Sequence, residues 1–487
     1  MRAAPLACLA AATAAVLAAA PPARAGDAAA GRALGAHLPA VEAVAARVDV
    51  TDPEGAQALY DAARDMEEAL RRAAPVSAAC RPRHAAGLAY ARARVRQAEA
   101  MDRPVPRSAA PAARAARAAH ARLAGAGGRC AGAGRGAPQA GTLAPGGGEA
   151  TFGAVAAAGL PASARRARVL VDGAPVAAVP VRAGRARARL RVAPGHHDLR
   201  LEARDARGRV VVRLRADGVV MLPPSAGRAA GRVVTDAAAA RRLHALATGA
   251  PGVVALWGQH LGSGRAAGAG ADARFPAAST VKLGLLVAAA RAGIERRGLG
   301  HDARQIARWS SNLATNRMLA RLGGSRAGGA ALAQATLARM GASRSTFPGG
   351  YIAGTALGTP PAVSARVTTA RDLARVLSVL HGAAVGDPAA RRATGLGPRA
   401  ARTLIGMLAA AEQTGDNRSL VRAGLPAGTV VAEKKGWLRA AHHGAALVYA
   451  ADGPRVVVVL TWAPGGAPLA RARGLGAGTL EVTLGLR

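Results

Sequence analysis

The sequence predicts a multidomain protein in which an α-helical module and a small antiparallel β-sandwich precede a C-terminal domain of mixed α/β structure. Its 487 residues exceed one ordinary domain, and 51% of them are hydrophobic, which is enough to bury a core. Apolar residues recur at helical spacing in the first part of the chain and alternate with polar residues in the middle. The last 260 or so residues follow an α/β rhythm.

The first 25 residues have the pattern of a secretory signal peptide. Met1-Arg2 precedes an apolar run over residues 6–20, and Ala23-Arg24-Ala25 is typical of a cleavage site. The run is too short to span a bilayer comfortably. We therefore expect residues 1–25 to be removed and the mature protein to be secreted or held in the cell envelope.

Residues 26–130 are predicted to form an α-helical module. Asp52-Pro53-Glu54 is typical of a helix start, and apolar residues then recur near helical spacing until Pro75. Beyond the signal the chain has two cysteines, Cys80 and Cys130, and an oxidising compartment predicts a disulfide between them. The module could be a spacer or a wall-binding or partner-binding element, and the sequence leaves both interpretations open.

Residues 131–165 are rich in Gly, Ala and Pro and predict a flexible linker. Residues 166–224 change to a period of two, with strict alternation over 185–192 and turn signals at Asp172-Gly173 and Pro194-Gly195. This predicts a small antiparallel β-sandwich, which loosely resembles the immunoglobulin-like modules of bacterial surface proteins.

The formal net charge of +38 favours anionic partners. No helix-turn-helix, zinc-binding or aromatic RNA-binding signature accompanies this charge, so specific nucleic-acid binding is not expected. An anionic cell-wall surface remains an expected partner. We expect neither a cofactor nor a metal site, because His196 and His197 have no third ligand at useful spacing.

Lysine is almost absent from the chain. Of 66 Lys and Arg residues, only Lys282, Lys434 and Lys435 are lysine. Arginine is effectively never deprotonated, so a site that must lose and regain a proton needs lysine. Lys282 follows Ser279 by three residues at the start of an apolar helical run, which predicts that both lie on one helix face. A desolvated amine can accept the proton of a serine hydroxyl, so this pair suits a nucleophile and its base.

Residues 225–487 form the predicted C-terminal domain and contain three motifs in order: Ser279-Thr280-Val281-Lys282, Ser310-Ser311-Asn312 and Lys434-Lys435-Gly436. Apart from the middle residues Ser311 and Lys435, they match the Ser-x-x-Lys, Ser-Asp-Asn and Lys-Thr-Gly signatures of class A β-lactamases and penicillin-binding proteins. The domain resembles this family over about residues 227–487, including the stretches 274–282, 310–319, 368–377 and 422–436. The resemblance does not extend to the first 220 residues.

The resemblance implies a class A β-lactamase-like or transpeptidase-like fold and acyl-enzyme chemistry. Ser279 would attack a carbonyl and become acylated, and Lys282 would accept its proton. Ser310 would pass a proton to the leaving nitrogen. Lys434 would hold this proton network and attract a substrate carboxylate.

The same resemblance implies the residues that contact the substrate, which are Asn312, Lys435, Gly436 and Trp437. Asn312 would hydrogen-bond the substrate's side-chain amide. Lys435 replaces the usual Thr or Ser and would offer a cation to a substrate carboxylate. The backbone N–H groups of Ser279 and Trp437 would form the oxyanion hole, and Asn316 resembles a structural position of the family.

A second departure concerns deacylation. Class A enzymes place a glutamate on a loop between the second motif and the helix at about residue 370, yet residues 303–371 contain no Asp or Glu. His442 and His443 could serve as the base, but histidines at strand ends are more often structural. We expect a monomeric serine hydrolase that is acylated by a β-lactam or a related peptide or ester and is deacylated slowly. A peptidoglycan D-Ala-D-Ala peptidase, a small-ester hydrolase and a wall-binding protein with a weak hydrolase domain remain alternatives.

Overall fold

The computed structural model describes residues 23–48, 53–73, 76–101, 109–127, 130, 142–144, 148–223, 226–227, 231–293, 299–352, 364–411, 419–422, 425–426 and 428–486. The predicted signal peptide lies outside the described residues, except for its last three positions, which begin the first helix. No helix in the described part of the chain is both long and apolar enough to cross a membrane.

The N-terminal module is helical, as predicted, with α1 (Ala23–Ala45), α2 (Pro53–Arg72), α3 (Arg81–Met101) and α4 (Ala109–Gly125). Apolar residues at helical spacing on α2 meet in its core, where Leu59, Met66 and Leu70 are fully buried. Cys80 and Cys130 form a disulfide across a sequence separation of 50 residues. This covalent link ties the start of α3 to the segment that follows α4.

A two-sheet β-sandwich follows, built from β1 (Thr142–Ala144), β2 (Ala150–Thr151), β3 (Ala154–Ala158), β4 (Arg166–Val171), β5 (Ala174–Pro180), β6 (Ala186–Arg189), β7 (Gly195–Arg204) and β8 (Val210–Met221). The sheets have the orders β1-β3-β6 and β2-β8-β7-β4-β5. Neighbouring strands are antiparallel except for the parallel pair β2 and β8. Alternate residues of both sheets, such as Val155, Val169 and Leu201, fill the space between them.

The linker prediction for residues 131–165 is wrong over its second half, because β1, β2 and β3 lie within it. Leu143, Val155 and Ala157 are buried in the sandwich core. These strands are short and consist largely of alanine, whose small side chain gives little periodic signal even when it is buried. Residues 131–141 lie outside the described residues.

The C-terminal domain contains a six-stranded sheet and a short two-stranded sheet. Its elements are β9 (Val234–Thr235), α5 (Ala237–Thr248), β10 (Val253–His260), β11 (Arg265–Ala269), β12 (Phe275–Pro276), α6 (Lys282–Arg291), α7 (Leu299–Trp309), α8 (Asn312–Gly323), α9 (Arg326–Arg339), β13 (Val367–Thr368), α10 (Ala370–Val385), α11 (Pro388–Thr394), α12 (Pro398–Ala411), β14 (Val430–Leu438), β15 (Ala441–Ala450), β16 (Gly453–Trp462) and α13 (Leu469–Leu484). The large sheet has the order β14-β15-β16-β10-β11-β9, which leaves β14 at an edge, and β12 pairs with β13.

Helices cover both faces of the large sheet. Residues of α5 and α13, such as Leu243 and Val482, share a cluster with Leu256 of β10. On the other face, α6 is buried over residues 282–290. Gly284 lets α6 approach α9 closely, because a Cβ there would lie 2.6 Å from the side chain of Leu337. A helix buried on all sides is a stiff support for the residues at its first turn.

Both N-terminal modules pack against the C-terminal domain. Val220 and Leu222, at the end of the sandwich, belong to the same buried cluster as the residues of α6 and α10. Glu149 pairs with Arg399 of α12 at 3.4 Å. Helix α2 contacts α7, as the ion pair of Arg308 with Glu68 at 3.1 Å shows. The modules therefore form a packed body around the C-terminal domain.

Candidate active site

Ser279 lies in a tight turn between β12 and α6. Backbone N–H groups of Thr280 and Lys282 donate to the carbonyls of Ala277 and Ser279 at 3.1 and 3.2 Å, a three-residue repeat tighter than an α-helix. The helix begins at Lys282, so the expectation that Ser279 lies on it is wrong by one turn. Ala278 has a φ of 49°, and this left-handed conformation stores strain beside the nucleophile.

Lys282 is fully buried at the first position of α6. Its Nζ donates to the Ser310 carbonyl at 2.5 Å and to Asn312 Oδ1 at 2.7 Å. Burial, helped by the charges of Lys434 and Arg366, lowers the pKa of Lys282 well below its usual range. Two acceptors match the two N–H bonds of a neutral amine and leave the lone pair to take a proton.

The second motif forms the turn between α7 and α8. Ser310 has a φ of 59°, which is rare for a residue with a side chain. Ser311 is the N-cap of α8 and accepts the N–H of Ala314 at 3.1 Å. The strained Ser310 backbone presents its carbonyl to Lys282, and its Oγ accepts Lys434 Nζ at 2.7 Å. The turn thus contacts both Lys282 and Lys434.

Lys434 lies on β14, at the sheet edge, and is fully buried. Burial and the neighbouring Lys435 charge lower the pKa of Lys434 to about 7, so it can release a proton near neutrality. Gly436 lies against the nucleophile turn, since a Cβ there would lie 3.0 Å from both Ala277 O and Ser279 N. A side chain at position 436 would push the strand away from the Ser279 amide.

Lys435 and Trp437 also lie on β14. Because side chains alternate along a strand, that of Lys435 leaves β14 on the face opposite Lys434. Lys435 is 7% exposed, whereas Trp437 is 47% exposed. The structure therefore does not bring Lys435 to Ser310, and its role toward a substrate stays a prediction, as does the oxyanion role of the Trp437 N–H.

Asn312 has an internal partner for each of its side-chain polar atoms. Its Oδ1 accepts Lys282 Nζ, and its Nδ2 donates to the Ile352 carbonyl at 2.9 Å. Each of these atoms can form one further hydrogen bond, and the prediction that Asn312 binds a substrate amide stays a prediction. Asn316, predicted to be structural, holds the same loop, accepting Tyr351 N–H at 2.8 Å and donating to the Tyr351 carbonyl at 2.7 Å.

Tyr351 is the part of this loop that covers Lys282, and sequence reasoning gave it no role. Its ring centroid lies 4.1 Å from Lys282 Nζ and 3.6 Å from the Arg366 guanidinium carbon. Its hydroxyl donates to the Ala278 carbonyl at 3.0 Å. Burial raises the pKa of Tyr351, so the hydroxyl keeps its proton. In the described part of this loop, an aromatic ring therefore faces the amine.

His443 is held at both ring nitrogens. Its Nε2 lies 2.7 Å from the Pro276 carbonyl, and its Nδ1 accepts the N–H of Thr461 at 3.3 Å. A carbonyl can only accept, so Nε2 carries the proton. Burial lowers the pKa of His443 to about 4, and desolvation also lowers that of His442. His443 is thus a structural residue, as the sequence favoured.

Asp61 of α2 is a buried carboxylate that sequence reasoning missed. Its Oδ2 accepts Ser311 Oγ at 2.8 Å and its Oδ1 accepts Gln57 Nε2 at 2.9 Å. Burial raises the pKa of Asp61 to about 7, and its charge opposes the lowering of the Lys282 pKa. Its spacing from Asp65 and Glu68 marks an acidic helix face, but no local pattern reveals what that face contacts.

Comparison with known proteins agrees with this site. Residues 238–299 and 299–474 match the model of the β-lactamase enzyme family. Among solved structures, PBP-A is similar at 22% identity with a TM-score of 0.43, and the match covers 53% of this chain and 100% of the PBP-A chain. A variant of PBP-A was solved as an acyl-enzyme with penicillin G. A β-lactamase from Sphaerobacter thermophilus is similar at 19% identity with a TM-score of 0.41, covering 52% of this chain and 97% of its own.

A class A β-lactamase from Mycobacterium abscessus is similar at 23% identity with a TM-score of 0.40, covering 50% of this chain and 98% of its own. No curated protein sequence matches the chain. The family match spans the nucleophile turn, the second motif and β14, where the buried lysines meet Ser310. The C-terminal part of this chain, residues 238–474, is therefore similar to the β-lactamase enzyme family.

Proposed function

We propose that this protein is a serine hydrolase of the class A β-lactamase type, which forms an acyl-enzyme on Ser279 with a β-lactam or a related amide or ester and releases it slowly. The buried amine of Lys282 is the observation that carries the proposal. Its two acceptors and its lowered pKa suit a neutral general base three residues from the nucleophile.

In the acylation step, Ser279 Oγ attacks the substrate carbonyl while its proton passes to Lys282 Nζ. The C–O bond forms, and the carbonyl oxygen takes up the negative charge beside the amide of Ser279. Collapse of this intermediate breaks the C–N bond. The leaving nitrogen takes the Ser310 hydroxyl proton, which Lys434 Nζ replaces through its 2.7 Å contact. Lys282 and Lys434 thereby exchange their protonation states across the second motif.

Slow deacylation is supported by the sequence, because residues 303–371 contain no Asp or Glu that could serve as the base. Hydrolysis needs a base that positions and activates water, which typically contributes about 10² to 10⁴-fold. The loop that covers Lys282 presents Tyr351, whose hydroxyl keeps its proton and donates to Ala278. We expect the acyl-enzyme to last longer by that factor than in a relative with a loop glutamate.

Burst kinetics with a chromogenic cephalosporin test this proposal. One equivalent of product in a rapid phase and a slow later phase are expected, with a matching adduct in the intact-protein mass after incubation with penicillin. Ser279→Ala is the control and should show neither. A wild-type protein that gains no mass would refute acyl-enzyme formation, and rapid turnover without a burst would refute slow deacylation.

Assays with other substrates separate the alternatives. Fast cleavage of a D-Ala-D-Ala peptide together with a stable penicillin adduct would favour a peptidoglycan peptidase, and fast cleavage of small esters alone would favour an esterase. Binding to cell-wall material without either reaction would favour a wall-binding protein with a weak hydrolase domain.

We also propose that the protein acts outside the cytoplasm as a monomer. The signal-like residues 1–25 and the Cys80–Cys130 disulfide support export, since disulfides persist in oxidising compartments. N-terminal sequencing of the mature protein tests this, with Gly26 expected as its first residue. The net charge of +38 supports attraction to an anionic wall surface.

A further inference from the structure

The face of α2 that meets the C-terminal domain carries three carboxylates at helical spacing. Asp65 accepts Trp309 Nε1 at 3.2 Å and pairs with Arg308 at 3.5 Å. Glu68 pairs with the same Arg308 at 3.1 Å. These contacts fix α2 against α7. Asp61, one turn before Asp65, reaches the turn between α7 and α8 and accepts the Ser311 hydroxyl at 2.8 Å.

Ser311 stands between the two residues that hold the catalytic lysines. On one side the Ser310 carbonyl and hydroxyl contact Lys282 and Lys434, and on the other Asn312 Oδ1 contacts Lys282. The Ser311 hydroxyl has two roles, since it accepts the N–H of Ala314 to cap α8 and donates to Asp61. Rotation of this hydroxyl away from the cap would loosen the turn that positions both lysines.

We propose that Asp61 of the N-terminal helical module is a positioning residue of the active site, because it accepts the Ser311 hydroxyl and so fixes the turn that holds Ser310 and Asn312 against the two lysines. The catalytic site is thus completed by a separate module of the chain. This inference rests on the proposed acylation of Ser279.

The motif signature explains why a carboxylate is needed at this place. In the Ser-Asp-Asn signature of the family the middle residue is itself a carboxylate. Here it is Ser311, and residues 303–371 contain no Asp or Glu that could replace it. Asp61 is 2% exposed, and its contact with Ser311 joins residues 250 positions apart in the sequence. Asp61 of α2 therefore places a carboxylate beside the middle position of the motif.

The charges around Asp61 are compatible with this role. Asp65 on its own helix raises the pKa of Asp61, and Arg317 on α8 lowers it, as do the hydrogen bonds from Ser311 and Gln57. On α6, the charge of Asp61 opposes the lowering of the Lys282 pKa, which burial mainly causes. The carboxylate accepts the Ser311 hydroxyl in either protonation state, so positioning does not require its charge.

Single-turnover acylation of three variants by a chromogenic cephalosporin tests the inference in the full-length protein. Asp61→Ala removes the acceptor. Asp65→Ala is the matched control, because it weakens the same docking face without touching Ser311. The exchanged pair Asp61→Ser with Ser311→Asp returns the carboxylate to the motif and keeps a hydroxyl on α2 to donate to it.

Asp61→Ala is expected to lower the limiting acylation rate constant by about 10- to 100-fold, because small misplacements of catalytic groups have effects of that size. The substrate concentration at half-saturation should change by a smaller factor than the rate constant, since the turn mainly positions the two lysines that move protons. Asp65→Ala should keep the wild-type rate constant within about threefold, and the exchanged pair should recover at least half of the loss on a logarithmic scale.

The outcomes separate this inference from the proposed function. A wild-type protein that is not acylated would refute the proposed function. A wild-type protein that is acylated, with Asp61→Ala equally fast, would refute the inference alone. Equal losses in Asp61→Ala and Asp65→Ala would overturn it in favour of general docking. If Asp61→Ala does not fold, as judged by circular dichroism, the exchanged pair decides: recovery supports positioning, and a folded but slow exchanged pair overturns it.

Discussion

Replacing Gly436 by alanine tests how closely β14 must approach the nucleophile turn. A Cβ at this position would lie 3.0 Å from Ala277 O, 3.0 Å from Ser279 N and 3.1 Å from Ala278 Cβ, whereas ordinary contact begins at 3.4 Å. The strand and the turn must therefore separate by about 0.4 Å. The turn cannot easily give, since Ala278 already has a left-handed backbone.

Gly436→Ala should change both the free energy of folding and the rate of acylation. Overpacking of this kind typically costs about 1–3 kcal/mol of folding free energy. Loss of one oxyanion donor lowers the rate by about 10² to 10³-fold, and a displacement of a few tenths of an ångström is a partial loss. We therefore expect Gly436→Ala to acylate about 10- to 100-fold more slowly than the wild type.

Stopped-flow kinetics measures the acylation rate, and denaturant unfolding measures the free energy of unfolding. Gly474→Ala is the matched control, because a Cβ there meets nothing within 4 Å on the exposed side of α13. It should leave acylation unchanged and stabilise the fold by up to about 1 kcal/mol, since alanine is the better helix former. If Gly436→Ala acylates within about threefold of the wild type, the close approach of β14 is not required for catalysis.

Three further predictions follow from buried groups. Lys282→Arg should retain less than about a tenth of the acylation rate, because arginine cannot accept a proton. This is a loss of transition-state stabilisation above about 1.4 kcal/mol. Single-turnover labelling measures the rate, and a faster variant would exclude Lys282 as the base. Replacing Cys80 and Cys130 by serine should destabilise the helical module by about 4 kcal/mol, because closure of the 50-residue loop is lost, and limited proteolysis measures this. The mature wild-type protein, which lacks Cys8, should show no titratable thiol. Lys434 releases its proton near pH 7 in the folded protein and near pH 10.5 in the unfolded chain. Between these two pH values the unfolded chain binds the extra proton, so the free energy of unfolding should rise with pH, by up to about 1.4 kcal/mol per pH unit. Lys434→Met should lack this rise in unfolding experiments at pH 7, 8 and 9. If the free energy of unfolding changes with pH equally in the variant and the wild type, the lowered pKa of Lys434 is contradicted.

The sequence by itself determined which residues are the candidates for the chemistry. The scarcity of lysine pointed to Lys282 and Lys434, because a site that must lose and regain a proton cannot use arginine. Periodicity predicted the helical module and the change to strands, since apolar residues must turn toward a core in either structure. It failed for β1, β2 and β3, where alanine provides too little contrast between buried and exposed positions.

Only the tertiary structure decided which residues surround the Lys282 amine. Tyr351 reaches Lys282 because Asn316, on α8, forms hydrogen bonds with the Tyr351 backbone. Asp61 reaches Ser311 because α2 docks on α7. Both contacts join parts of the chain that follow separate local patterns. Local periodicity states which face of a helix is buried or charged, but the partner of that face depends on how the elements pack, and packing is decided by the whole fold.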